Sequence, residues 1–143
     1  KPALISPNLS TSPMTVTIPD LLGQALKFRE IMGQPSGRFH AETLRTQAAL
    51  IEEESTEFLD AHLEAIYNKQ NIRAREAALK ELADLVYVAF QYAAAAGWEL
   101  DEALDRVHKS NLSKLVDGKP LKRQDGKVLK GPNYQPANLI DLV

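Results

Sequence analysis

The sequence predicts an all-α fold, a bundle of four to five helices followed by an irregular C-terminal tail. Three observations carry that prediction. Apolar residues recur at helical period across most of the chain from residue 20 to residue 112. Helix-breaking punctuation falls at Gly33 with Pro35, at the stretch 68–71, and at Gly97. Strand character is confined to a short KVLK stretch late in the chain.

The first helix is expected from Pro19 or Asp20 to Met32, with Leu21, Leu22, Ala25, Phe28 and Met32 as its apolar set. QPSGR forms the turn that follows. A second, long helix spans His40 to Tyr67, about 40 Å at a rise of about 1.5 Å per residue. After the break at Asn68 to Asn71, a third covers Ile72 to Ala96, with Gly97 as its C-cap. The fourth runs from Leu100 to Leu112 and carries Ala103, Leu104 and Val107. Trp98 is expected to pack the corner between the last two. Beyond Leu115 the periodicity ends in a basic tail with two Asp-Gly-Lys turns. The expected division is therefore a flexible N-terminal arm over 1–18, a helical domain over 19–116, and a tail over 117–143 that packs near the site. The chain starts at Lys1, and Met14 is a candidate native start.

The third helix is apolar on two faces. Leu85, Val88 and Tyr92 make one stripe, and Leu82, Val86, Ala89, Phe90 and Ala93 face elsewhere. A helix that is apolar all round is covered all round. In so short a chain a second subunit is the simplest cover, so a homodimer or homotetramer is expected, with subunits completing each other's core.

With 143 residues the chain suits one domain and one core, and 25% charged with 44% hydrophobic residues is an ordinary globular mixture. A formal net charge of −2 gives no basic footprint, so nucleic-acid binding is not expected. The absence of cysteine excludes disulfides, zinc-thiolate sites and thiol nucleophiles, and fits a reducing cytoplasm. No apolar run approaches the roughly 20 residues of a membrane span, and the N-terminus lacks a signal-peptide core.

Acidic residues stand where the bundle should be apolar. At about 100° per residue, Leu50, Ile51, Phe58, Ala61 and Ala65 share one arc of the second helix, and Glu54 falls inside it. Glu57 lies beside the arc, Glu53 a step further toward solvent, and Glu52 on the opposite flank. On the third helix the stripe of Ala74, Ala77, Ala78, Leu85, Val88, Tyr92 and Ala95 has Glu81 at its centre and Asp84 at its edge. Glu54 with Glu57, and Glu81 with Asp84, each have the i, i+3 spacing that points both members one way. A run such as EEESTE is ordinarily a solvated face, but coincidence with the apolar arc on two consecutive helices argues against it here. Converging carboxylates repel unless a cation joins them. Oxygen donors in a chain without thiolates select Mg²⁺, or Mn²⁺, over zinc. A di-iron carboxylate bundle needs Glu-x-x-His motifs, and neither Glu57 nor Glu81 is followed by histidine three residues on.

Glu53-Glu54-Ser55-Thr56-Glu57 matches E-E-x-x-E, and after a gap of 23 residues Glu81-Leu82-Ala83-Asp84 matches E-x-x-D. With Leu50-Ile51 before the acids, Leu85 to Val88 after them, the segment Val107 to Lys114, and the DGK and KGPNYQP stretches, the chain resembles the all-α nucleoside triphosphate pyrophosphohydrolases. That superfamily includes MazG, the dimeric dUTPases and phosphoribosyl-ATP pyrophosphohydrolase. The likeness spans about residues 20 to 137 and is nearest the short MazG-like branch.

The resemblance implies a MazG-like bundle that cleaves a (deoxy)nucleoside triphosphate between its α and β phosphates, giving the monophosphate and pyrophosphate. dUTP or a purine deoxynucleotide such as dGTP is the implied kind of substrate. It implies Glu54, Glu57, Glu81 and Asp84 as metal ligands. Glu53 and Glu54 become the catalytic pair, with Glu53 as either the base for the attacking water or a ligand of a further ion. Asn111, Lys114 and Lys127 are expected to contact phosphate, and Gln24, Phe28 and Gln34 the base. Phe28 is also a candidate core residue, and Arg106, His108 and Lys109 are candidates for complementing the end of the fourth helix. Two alternatives stand beside this reading, namely phosphoribosyl-ATP as the substrate, and a non-catalytic helical dimerisation module whose acids are solvated and replaceable.

Overall fold

The computed structural model describes residues 18–143; the expected N-terminal arm lies almost wholly outside the described residues. Four helices follow in order, α1 (Leu21–Ile31), α2 (Ala41–Tyr67), α3 (Ile72–Ala96) and α4 (Leu100–Leu112), then a short 3-10 turn at Ile140–Leu142. Among the described residues there is no named strand. The fold is the all-α bundle that the periodicity predicts.

Helix ends are set by the residues that cap them. Asp20 is the N-cap of α1, and its carboxylate accepts from the backbone N–H of Gly23 at 2.9 Å. Asn71 caps α3 in the same way, accepting from Arg73 and Ala74. His40 is the N-cap of α2, so that helix opens one residue later than expected. Gly97 closes α3 in the left-handed conformation, with φ of 80°, and its N–H returns to the Ala93 carbonyl. A Cβ at Gly97 would sit 3.1 Å from the Gly37 backbone. The close approach exists because the α1–α2 turn runs along the end of α3, with Gly37 N–H donating to Ala94 O at 2.9 Å and Arg38 N–H to Ala95 O at 3.0 Å.

The long antiparallel pair α2 and α3 forms the spine, and α1 packs on α3. One core cluster joins Ala25, Phe90 and Ala94, flanked by Leu22 and Leu100. A second joins Leu44, Ala95 and Ala96 with Tyr92 and Trp98 packed on it. Trp98 fills the α3–α4 corner as expected, against Tyr92 and, stacked at 5.7 Å, Phe39.

The second apolar face of α3 is divided. Its C-terminal half is covered within the chain, with Phe90 4% and Ala93 2% exposed. Its N-terminal half stays open, with Leu82 41% and Val86 43% exposed. The expectation that a partner covers this face is thus corrected for Phe90 and Ala93, which are buried within the chain, Phe90 against Ala25 of α1.

The tail is irregular but tied down. Isolated bridges pair Val116 with Lys119 and Lys122 with Val128, so the KVLK stretch makes a turn-like clasp without a strand. Arg106 holds the C-terminus to α4, donating to both carboxylate oxygens of Asp141 at 2.6 and 2.9 Å and to the Asn138 carbonyl at 3.0 Å. Ser110 and Ser113 add contacts with the Gln135 backbone.

Candidate active site

The packing of α2 on α3 brings three of the four singled-out acids together. Each of Glu54, Glu57 and Glu81 has a carboxylate oxygen that lies within 4.8 Å of the others. The apolar arc drawn from the sequence explains why. Leu50, Ile51, Phe58, Ala61 and Ala65 are all partly buried, and Glu54 shares their burial while Glu52, Glu53 and Glu57 are exposed. Glu81 shares the partly buried stripe of Leu85 and Val88.

The carboxylates are under-satisfied. Glu54 Oε2 and Glu81 Oε2 are buried and have no hydrogen-bond partner. Desolvation lifts the Glu54 carboxyl above the usual glutamate range, and the negative charges of Glu57, Asp84 and Glu81 lift it further. An arrangement that is costly when empty of positive charge fits a divalent cation, since all donors are hard oxygens and two of them lack any other partner.

Asp84 stands slightly apart. Its carboxylate is held by Lys80, one turn earlier on α3, at 2.5 Å, and the same ammonium lies 3.6 Å from Glu81. The pairing with Asp84 raises the Lys80 pKa above its usual value. Lys80 is a cation at this site that the sequence reading passed over. Its signal was its position, four residues before Asp84 and next to Glu81.

The other expected site residues are spread more widely. Glu53 is exposed beside Glu54. Phe28, partly buried, packs edge-on against the exposed Tyr87, with centroids 5.7 Å apart. Gln24 lines an apolar groove with Leu21, Ala83, Val86, Tyr87 and Phe90. Gln34 lines a different, polar cavity between the α1–α2 turn and the start of α2. Asn111 lies in the last turn of α4, and Lys114, just past the Ser113 C-cap, has its backbone carbonyl accepting from Gly131 at 3.1 Å. Lys127 receives a different tie, its backbone N–H donating to Asp125 at 3.1 Å. No hydrogen bond or ion pair among the described residues joins Asn111, Lys114 or Lys127 to the acids. Arg106 is taken up by Asp141 and Glu102, and Lys109 by Asp105.

A second polar cluster also went unforeseen. Arg29, 1% exposed, donates Nε–H to Pro35 O at 2.8 Å and Nη1–H to Gln91 Oε1 at 3.4 Å. Gln91 donates in turn to the Ala25 carbonyl at 3.4 Å. Gln47, 6% exposed, has an unpartnered Oε1.

An all-α bundle with carboxylates clustered between its two central helices fits the divalent-metal-dependent hydrolases of phosphoanhydrides. The family model for phosphoribosyl-ATP pyrophosphohydrolase matches residues 24–111, which takes in all of α2 and α3 and most of α1 and α4. The chain belongs to that family. It is a pyrophosphohydrolase, an enzyme acting on a phosphoanhydride of a nucleotide. Comparison with curated proteins gives no match. No described helix is long and apolar enough to cross a membrane.

Proposed function

We propose that this protein hydrolyses a nucleoside triphosphate, most naturally a deoxynucleotide, between the α and β phosphates, releasing the monophosphate and pyrophosphate. Convergence of Glu54, Glu57 and Glu81, two of them with buried oxygens lacking partners, is the observation that carries the reading. Those three residues, with Asp84 beside them, would hold Mg²⁺ or Mn²⁺. Such an ion, when bound, neutralises phosphate charge and makes water more acidic. Glu53, exposed next to Glu54, would either take the proton of the attacking water or ligate a further ion. The water oxygen bonds to the α-phosphorus, the bridging P–O bond breaks, and pyrophosphate leaves with that oxygen. Asn111, Lys114 and Lys127 would supply donors for the phosphates, with the tail that bears Lys127 closing toward them.

The enzyme works as a homodimer or homotetramer in the cytoplasm. The oligomer is supported by the open stripe of Leu79, Leu82 and Val86 on α3, with Leu63 and Ile66 on α2, all at least 41% exposed. A role in the dNTP pool, on dUTP or a purine deoxynucleotide such as dGTP, follows from the likeness to the short MazG-like branch.

Phosphoribosyl-ATP is the second reading, the substrate in the description of the matching family model. The nucleotide-pool reading rests on the Ser110 to Lys114 segment, within which the match ends at residue 111, and on the DGK tail beyond it. Pyrophosphate release from the eight common NTPs and dNTPs, dUTP and phosphoribosyl-ATP, in Mg²⁺ and in EDTA, separates them. Metal-dependent release from one or more triphosphates is expected. Release from phosphoribosyl-ATP alone would transfer the assignment, and release from none would end it.

A further inference from the structure

We infer that the polar cavity between the α1–α2 turn and the start of α2 reads the nucleobase, and that it selects bases carrying a carbonyl next to a ring N–H, namely guanine, uracil or thymine. The inference rests on the proposed triphosphate substrate and extends it to the base.

The cavity, about 310 Å³, is lined by Arg29, Gln34, Pro35, Glu42, Thr43, Thr46 and Gln47. Its wall on α2 is continuous with the acid cluster. Thr43, Gln47, Leu50 and Glu54 follow at spacings of four, three and four residues, which keeps them on one helix face. Gln47 precedes Glu54 by two turns, about 10 Å along the axis. A nucleotide with its phosphates at Glu54 and its chain laid along that face therefore brings its base to Gln47.

The chemistry of the wall says what it takes. A guanidinium has five N–H donors and no acceptor. Arg29 commits Nε to Pro35 and Nη1 weakly to Gln91, and among the described residues no carboxylate lies within ion-pair distance, so its Nη2 donors are left for a molecule in the cavity that Arg29 lines. Gln47 Oε1 is a buried acceptor without a donor. A carbonyl oxygen, with two lone pairs, meets the guanidinium, and the ring N–H beside it meets the amide oxygen. Guanine, uracil and thymine have that adjacent pair; adenine and cytosine do not. A phosphate is a poor occupant, because the Glu42 carboxylate shares the lining. The cavity thus argues against a second phosphoryl group at this end of the substrate.

Two measurements test this on the intact protein. In the first, binding of dGMP, dUMP, dAMP and dCMP is followed by calorimetry, a readout independent of catalysis. The dGMP and dUMP pair should bind about tenfold or more tighter than dAMP and dCMP, and Gln47→Leu should erase the difference. Equal or undetectable binding of all four overturns the inference, as does a preference that survives Gln47→Leu. In the second, kcat/KM for dGTP and dUTP should exceed that for dATP and dCTP, with Gln47→Leu raising KM for the former while kcat stays near wild type. Arg29 also secures the α1–α2 turn, so Arg29→Lys, which keeps the charge and loses the fork, is checked by circular dichroism before its selectivity is read. If turnover is absent on every triphosphate, the hydrolase reading fails while the binding result still decides the base pocket. If turnover is present without base preference, only the pocket assignment fails.

Discussion

The Lys80 ammonium lies 2.5 Å from the Asp84 carboxylate and 3.6 Å from that of Glu81, so one side chain touches two of the four acids. It is the positive charge nearest the site, and a divalent cation has to compete with it for Asp84. Lys80→Met should therefore strengthen Mn²⁺ binding to the substrate-free protein by about threefold, the scale of an exposed pair one turn apart. Titration followed by electron paramagnetic resonance measures this; weaker binding in the variant would show that Lys80 orients Asp84 rather than blocks it.

The position of each glutamate on the α2 wheel separates its role from its neighbours'. Glu57→Ala should lower kcat/KM for pyrophosphate release by about 100-fold or more, as loss of a group that stabilises transition-state charge does. Glu52→Ala, on the far flank, should change it by no more than about twofold. Equal effects would mean that the run acts as a diffuse acidic patch.

Glu54 predicts a pH signature. Burial and the acids around it raise its carboxyl pKa above the ordinary value of 4.5. The metal-free folded state then holds more protons than the unfolded chain between 4.5 and the raised value, so stability from this group is present below that window and is lost as pH rises through it. Without metal, the Tm of wild type should fall relative to Glu54→Gln as pH rises from about 4 to about 7. Added Mg²⁺ should reverse the order at neutral pH, since only wild type keeps the full carboxylate set. Thermal melts in EDTA and in Mg²⁺ across that range provide the check.

Gly97 ties the spine to the α1–α2 turn. Its φ of 80° and the 3.1 Å approach to Gly37 leave no room for a methyl group without moving backbone. Gly97→Ala should cost at least about 1 kcal/mol in urea unfolding, whereas Gly126→Ala, with open space around its own positive φ, should cost less.

The open stripe of α2 and α3 predicts the partner surface. Leu82→Glu with Val86→Glu should abolish the proposed self-association in sedimentation velocity. An unchanged sedimentation coefficient would place the interface elsewhere.

Much of this was legible in the sequence, for reasons that can be named. α3 and α4 fell on their expected bounds because Asn71, Gly97 and the end of the apolar pattern act locally. Glu54 and Glu81 could be placed because helical period alone fixes which face a residue shares. What escaped depended on contacts between elements. Arg29 reads as an ordinary surface cation of α1, and only the fold of the QPSGR turn over it buries it against Gln91. Phe90 and Ala93 looked like interface because the reach of α1 along α3 is set by tertiary packing. Lys80 was passed over because an i, i+4 pair on a helix is usually only a solvated salt bridge.

The claim on which the rest depends is that Glu54, Glu57 and Glu81 converge to hold a divalent cation. Calorimetric titration of Mg²⁺ into wild type and into Glu81→Gln tests it most directly. Saturable binding by wild type, weakened by about tenfold or more in the variant with its helical content unchanged, is the predicted result. Equal affinity in the two proteins, or no binding to either, would contradict it.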